Sequence, residues 1–389
     1  MVDIASFTEN ASGLGLGVNA LHCEVLRGRE HAMRALAMLQ ADAVYSGYQH
    51  PVFLRSWFLH APGEPVFVVL RAEGMGPVIL PLERIPGSIL AYPGGRHANG
   101  NFPIGAPRDV AAIAAMGEPA IAGSLRAAGL GASAISLERQ LPSLAGVRNP
   151  FAFAGSATSP NPALALSLEG GFDEVLKRHS AKRRRKRFRN QERRLAEHGG
   201  YRFVGHVGQD DVPAVLDRFF ELKARRFEEA GIHDVFAGEQ MQGFFCSLFQ
   251  DGCENEPRSH ELKLLEVGGE AIAIIGCTIV DGRITVEFGT FDAQYGEIGP
   301  GDMLFFLAIR EAAERGLEVF DFGIGDEPYK RGWCEIETLQ SDTVIPLGPA
   351  GHVFAARKRA RSALVRAVKT NKLIWPMVKR LRAIRSPAR

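Results

Sequence analysis

Residues Tyr295 to Gly316, YGEIGPGDMLFFLAIREAAERG, set Gly296, Gly299, Pro300 and Gly301 directly before an apolar helical run. A loop of this kind points backbone N–H groups at whatever lies ahead of the helix, where the helix dipole favours negative charge. The glycines let the main chain approach a ligand with no Cβ in the way, and Asp302 is placed to cap the helix. A pyrophosphate fits such a cradle formed by the amides preceding Met303. A tight turn with nothing bound would use the same residues. The next apolar run ends in DFGIGDEPYKRGW, which gathers Asp321, Asp326, Glu327, Tyr329, Lys330 and Trp333 at one strand end. So many chemically versatile side chains beside an anion loop point to a functional site. The histidines show no HxxxH, HExxH or paired Cys/His spacing, so no metal is expected. Neither a Gly-x-Ser-x-Gly elbow nor a Walker loop is present.

These residues must be held by a fold, and the chain repeats one grammar twice. PVFVVLRAEGMGPVILPLERIPGSILAYPGG reads as three β-runs parted by Gly-Met-Gly and Pro-Gly turns. HELKLLEVGGEAIAIIGCTIVDGRITVEFGTFD does the same with Gly-Gly and Asp-Gly. Each meander precedes a helix, DVAAIAAMGEPAIAGSLRAAG in the first half and DMLFFLAIREAAERG in the second, so a duplicated unit is expected, alike in pattern and not in identity. The spacing predicts helices over 30–40, around PVFLRSWFL, and over DDVPAVLDRFFELKARRFEEAG with Asp210 or Asp211 as its cap. One long helix is expected from Phe172 to the stop at Gly199 and Gly200. The small, Pro-rich stretch VRNPFAFAGSATSPNPALALSLEGG marks the boundary between the units. The organisation expected is 18–155, 160–348 and a basic helical tail over 349–389.

At 389 residues the chain suits two domains, and 46% hydrophobic with 23% charged residues describe a globular protein. Five cysteines without CxxC spacing favour a reducing cytoplasm. The absence of a signal-like leader and of ~18 uninterrupted apolar residues argues against export or a spanning helix.

The order strand, Gly-rich loop, helix and strand resembles the cofactor-binding half of the GNAT acyltransferases. The D-x-G-x-G-D-x-x-Y-K-x-x-W element at Asp321, Gly323, Gly325, Asp326, Tyr329, Lys330 and Trp333, with the basic helix ending RRLAEHGG, resembles the tandem branch. That branch holds the CelD-like proteins linked to cellulose biosynthesis and the FemAB-like aminoacyl transferases. The resemblance spans about Phe172 to Leu347. It implies an α/β (α+β) fold of tandem GNAT-like domains, each a mixed, largely antiparallel sheet flanked by helices. It implies transfer of an acyl group, acetyl in the first instance, from acyl-CoA to an amine or hydroxyl of a small molecule or saccharide precursor. Phe291, Gly296, Gly299, Gly301, Asp302 and Met303 would then hold the donor, and backbone N–H groups where the strand splays at Phe288 to Phe291 would polarise its carbonyl. Glu287 or Asp321 would be the base, desolvated in an apolar strand. Tyr329 would donate to the leaving thiolate, Lys330 would hold a phosphate or carboxylate, and Asp326 and Trp333 would meet the acceptor. The family's phosphate loop begins with Gln or Arg; Gly296 occupies that position here and brings no side chain to the phosphates.

Two basic runs remain. LKRHSAKRRRKRFRNQERR carries eleven Lys/Arg between Lys177 and Arg194, around an apolar stripe of Phe172, Leu176, Phe188 and Leu195. It suits a solvated face, donor phosphates or nucleic acid, the last being tRNA if the donor is aminoacyl-tRNA. The tail, AARKRARSALVRAVKTNKLIWPMVKRLRAIR, has the composition of an interfacial helix on an anionic inner membrane face, or of one packed on the protein. A silent membrane-associated adaptor is the reading from a different class.

Overall fold

The computed structural model describes residues 21–159 and 161–370. Strand β1 (His22–Arg27) leads to helix α1 (Arg29–Ala37), a 3-10 turn at Gly47–Gln49 and helix α2 (Pro51–His60). The first meander follows as β2 (Glu64–Arg71), β3 (Val78–Ile85) and β4 (Ile89–Ala91). Helix α3 (Pro107–Ala127), bent at Gly117, then delivers β5 (Ala134–Gln140) parallel to β4. A small hairpin follows, β6 (Ser143–Leu144) with β7 (Val147–Arg148), and the Pro-rich stretch that starts at Val147 then carries β8 (Ala157–Thr158) in the first sheet and β9 (Ala163–Ser167) in the second.

The second unit runs α4 (Gly171–Arg178), α5 (Ala181–Ala196), β10 (Arg202–Val204), α6 (Val212–Glu229) and α7 (Glu239–Cys253). Its meander is β11 (His260–Val267), β12 (Glu270–Val280) and β13 (Arg283–Phe291). Helix α8 (Pro300–Glu314) delivers β14 (Val319–Ile324) parallel to β13, and α9 (Pro328–Arg331), β15 (Ile336–Thr338), β16 (Ser341–Pro346) and α10 (Pro349–Thr370) complete the described chain.

The strand orders are β1-β2-β3-β4-β5-β16-β8 and β10-β11-β12-β13-β14-β9-β15. Among the paired strands of each sheet, a single pair is parallel, and it is the pair joined through a helix, β4/β5 and β13/β14. The two units therefore repeat one topology. The division at 348 does not coincide with a sheet boundary: β16, inside 160–348, pairs with β5 and β8 in the first sheet. Local pattern carries no information on such long-range pairing.

Three cores separate the layers. In β2, Val66, Val68 and Leu70 face α3 while Phe67 and Val69 face α1 and α2, so both faces are covered and the strand reads as one apolar run. The middle core joins the units, packing Phe53, Trp57 and Phe58 of α2 against Phe219, Phe244, Phe249 and Phe288. The third lies under α4, α5 and α8 on the far face of the second sheet.

The single long helix expected from Phe172 is two helices, broken at His179 and Ser180, where Ser180 adopts φ 65°. Arg184 stabilises the break: its Nε donates to the His179 carbonyl at 2.8 Å and its guanidinium lies 3.3 Å from the centre of the Trp333 ring. Asp211 occupies the position before α6 but makes no capping bond. Helix α10 packs on β5 and β16, with Ala355 buried and Lys358 Nζ donating to Glu138 at 2.6 Å. The remainder of the expected interfacial helix, Leu373 to Ile384, lies outside the described residues. Among the described residues no helix is long and apolar enough to cross a membrane.

Candidate active site

The second sheet opens at its parallel pair. β13 and β14 are in register only from Arg283/Val319 to Thr285/Asp321. Beyond Thr285 they part, and the edge of Val286 to Phe291 faces a cleft of about 940 Å³. On the other side, β12 pairs Cys277 with Val286 and then Gly276 with Phe288, leaving Glu287 as the extra residue of a bulge. A bulge bends its strand and re-aims the residue it carries. Gly276 is required there, because a Cβ would run into the Phe288 ring.

Helix α8 meets the opening end-on. Gly299 sits before it with φ 80°, and Pro300, which has no N–H, is the first helical residue. The first intrahelical bond runs from the Met303 N–H to the Gly299 carbonyl at 3.2 Å, so the amides of Gly301 and Asp302 precede the ladder. Met303 is thereby placed in the core with its amide used. Asp302 does not cap; in the first turn it pairs with Arg187 at 2.9 Å. Gly296 lies outside the cleft, its N–H bonded to the Ala293 carbonyl at 2.9 Å. Helix α5 holds the loop through Gln191 Nε2, which donates to the carbonyls of Ile298 at 3.1 Å and Gly299 at 2.9 Å.

The cleft is strongly cationic. Arg183, Arg184 and Arg187 enter it from α5, and Lys223 and Arg226 from α6. Arg226 stands 5.2 Å over the Phe291 ring, and Lys223 Nζ is 5.3 Å from that of Phe227. Burial, then the charge of Arg226, bring the Lys223 ammonium down to about 8. The basic run thus does more than solvate α5. Lys223, Arg226, Phe227 and Ala230 share one face of α6 by their i, i+3, i+4, i+7 spacing and line the cleft together, a role that spacing alone does not distinguish from a solvated face.

The carboxylates differ. Desolvation raises Glu287 to about 8; hydrogen bonds from Thr278 and Tyr48 oppose the rise and Asp321 adds to it. Glu287 lines the cleft, and its Oε1 is buried without a partner among the described residues. Asp321 is not among the residues that line the cleft; it accepts from Arg283 at 2.9 Å and from the Gly323 N–H at 2.7 Å. Burial raises its pKa against those partners. It ties β14 to β13 at the point where they part.

The motif after β14 divides. Tyr329 lines the cleft, half exposed, with its ring stacked on Phe305 at 5.7 Å. Lys330 also lines it, but its Nζ is committed to the Ile324 carbonyl at 2.8 Å and to Glu327 at 3.1 Å. Asp326 points outward to Arg331. Trp333 is 1% exposed and belongs to the third core, so it supports Arg184 from beneath and does not border the cleft. From the first unit, Tyr48 and Asn99 close the cleft; Asn99 belongs to the Gly/Asn/Pro-rich loop YPGGRHANGNFPIG, whose composition suits a cleft lining, whereas nothing in the local sequence marks Tyr48.

Residues 182–331 match the family model of the acetyltransferase (GNAT) domain. No curated protein matches the chain. Among solved structures, that of FemX is 11% identical with a TM-score of 0.51, covering 84% of this chain and 96% of its own. A tandem GNAT protein from the clavulanic acid biosynthesis pathway is 12% identical with a TM-score of 0.43, covering 84% and 99%. L-PGS from Bacillus licheniformis is 12% identical with a TM-score of 0.47, covering 76% and 87%. The FemX likeness is one of fold.

Proposed function

From the premise that residues 182–331 form a GNAT-type acetyltransferase domain, we propose that the protein moves an acyl group, acetyl in the first instance, from acyl-CoA to an amine or hydroxyl of a small molecule or saccharide precursor. One juxtaposition carries this reading. The amides at the start of α8, three arginines of α5 and the bulged Glu287 line the same cleft. The donor diphosphate is held by the Gly301 and Asp302 N–H groups and by Arg183, Arg184 and Arg187. Those arginines supply the side-chain charge that Gly296 cannot. Amides on the parted edge of β13 polarise the thioester carbonyl. The acceptor nitrogen or oxygen attacks the carbonyl carbon, its proton passes to Glu287, the C–S bond breaks, and the thiolate takes a proton from the Tyr329 hydroxyl. Much of the rate comes from holding the two reactants together.

The CelD-like branch, a saccharide acceptor and a place in cellulose or exopolysaccharide assembly rest on the motif alone. Residence at the inner membrane face rests on the basic, apolar composition of the tail. A second reading, transfer from aminoacyl-tRNA, is favoured by the outward face of α5, where Lys182, Lys186 and Arg189 are exposed.

The test is the thermal shift given by acetyl-CoA in wild type and Gly301→Val. The backbone of Gly301 is not left-handed, and a Cβ there would lie 3.4 Å from Phe291, in contact with its ring, so a branched side chain at this position crowds the amides. The shift should vanish in the variant; a shift that survives places the donor elsewhere. Charge reversal at Lys182, Lys186 and Arg189 that abolishes tRNA binding while sparing the acetyl-CoA shift would separate the two donors.

A further inference from the structure

We infer that Tyr48, contributed by the first unit, is a positioning residue that orients the Glu287 carboxylate for proton transfer. The inference rests on the acyltransfer reading of the cleft.

Tyr48 is 4% exposed and sits in the 3-10 turn Gly47–Gln49, far from Glu287 in sequence. That turn is fastened by buried polar groups. Ser46 Oγ donates to Gln49 Oε1 at 2.6 Å, and Gln49 Nε2 donates to Asn101 Oδ1 at 2.7 Å. The Phe102 N–H donates to Gln49 Oε1 at 2.9 Å, and Asn101 Nδ2 to the Glu138 carbonyl at 2.8 Å. A buried network satisfied in this way is rigid and fixes one geometry. Its burial beneath a loop needs a reason, and the reason lies across the unit boundary.

The turn is pressed onto β12. A Cβ at Gly47 would stand 2.7 Å from Thr278 Cγ2, so only glycine permits the approach. Glu287 accepts from Thr278 and from Tyr48, and Tyr48 lines the same cleft as the carboxyl it reaches. The Tyr48 ring is held edge-on to Phe53 at 5.8 Å and is almost fully buried, which restricts its rotation. The other ionisable groups that act on this pair are Cys277 on β12, Asp321 on β14 and Arg139 on β5. Of these, Arg139 favours the charged phenol and Asp321 the neutral one, with Glu287 itself the strongest charge against ionisation. Tyr48 therefore remains a neutral donor, and a donor to a carboxylate favours its charged form. Without it the bulge would still present a carboxyl to the cleft, held by Thr278 alone and harder to ionise.

The measurement is an infrared pH titration of the full chain, with the Glu287 carboxyl band identified by its loss in Glu287→Gln. It needs no substrate. In Tyr48→Phe, which keeps the ring and removes the donor, the midpoint should move up by about one pH unit. Replacing Tyr48 by 3-fluorotyrosine, a stronger donor of nearly the same size, should move it down. A midpoint unchanged in Tyr48→Phe overturns the inference; if that variant does not fold, an unchanged midpoint in the fluorotyrosine protein does so. Loss of the acetyl-CoA result with both shifts intact would leave the Tyr48–Glu287 pairing standing and remove only the reaction assigned to it.

Discussion

Replacing Glu287 by glutamine should flatten the dependence of folding stability on pH. The carboxyl is desolvated on the bulge, so its pKa stands at about 8 in place of 4.5. The folded chain therefore holds this proton more tightly than the unfolded chain does. The stability it contributes is complete below about pH 4.5 and is lost as pH rises towards 8. A rise from 4.5 to about 8, at about 1.4 kcal/mol per unit, amounts to about 5 kcal/mol, an upper limit because water can reach a bulge as it ionises. Glutamine has the same shape and does not titrate. Urea unfolding followed by tryptophan fluorescence, repeated between pH 5 and 9, gives the difference between variant and wild type. Glu83, raised to about 7 by burial, tilts both curves alike and cancels in that difference. The variant should gain a few kcal/mol on the wild type across this range. Parallel curves would refute the burial of a neutral carboxyl at Glu287.

Trp333→Ala should destabilise the chain by about 3–5 kcal/mol in the same unfolding assay, since it empties a site 1% exposed and releases Arg184. A loss under about 1 kcal/mol would mean that the ring borders the cleft after all. Lys223, brought down to about 8, should be acetylated by acetic anhydride at pH 7.5 ahead of Lys177, as read by peptide mass spectrometry. Equal labelling would contradict its desolvated setting.

The meanders were legible because their turns are chemically marked: Gly268 and Gly269, then Asp281 and Gly282, all adopt positive φ. The apolar helix α8 and its glycine loop were legible for the same reason. The break between α4 and α5 was hidden because the left-handed residue is a serine, while the apolar stripe of Val175, Leu176 and Leu195 continues across it into one core. Glu287 was readable as a desolvated carboxylate but not as a bulge, since the extra residue exists only relative to the register of β12. Asp321 looked equivalent from its apolar neighbours; Arg283, which occupies it, is distant in sequence. Trp333 and Asp326 shared a segment with cleft residues, yet the short α9 turns them to the core and to solvent. Residue type suggested chemistry in that segment, and only the turn of the chain distributed it.

The return of β16 to the first sheet bears on how the chain can be made and cut. While the polypeptide emerges from the ribosome, β5 waits with a bare edge for its partner, and the Arg139 amide reaches its acceptor on Asp342 only 203 positions later. A fragment ending before that strand would carry an unsatisfied β5 edge into solution, where other chains can add to it. Truncation between the two repeats should therefore yield aggregates of the N-terminal piece, whereas a nick in an exposed loop leaves the two pieces clasped.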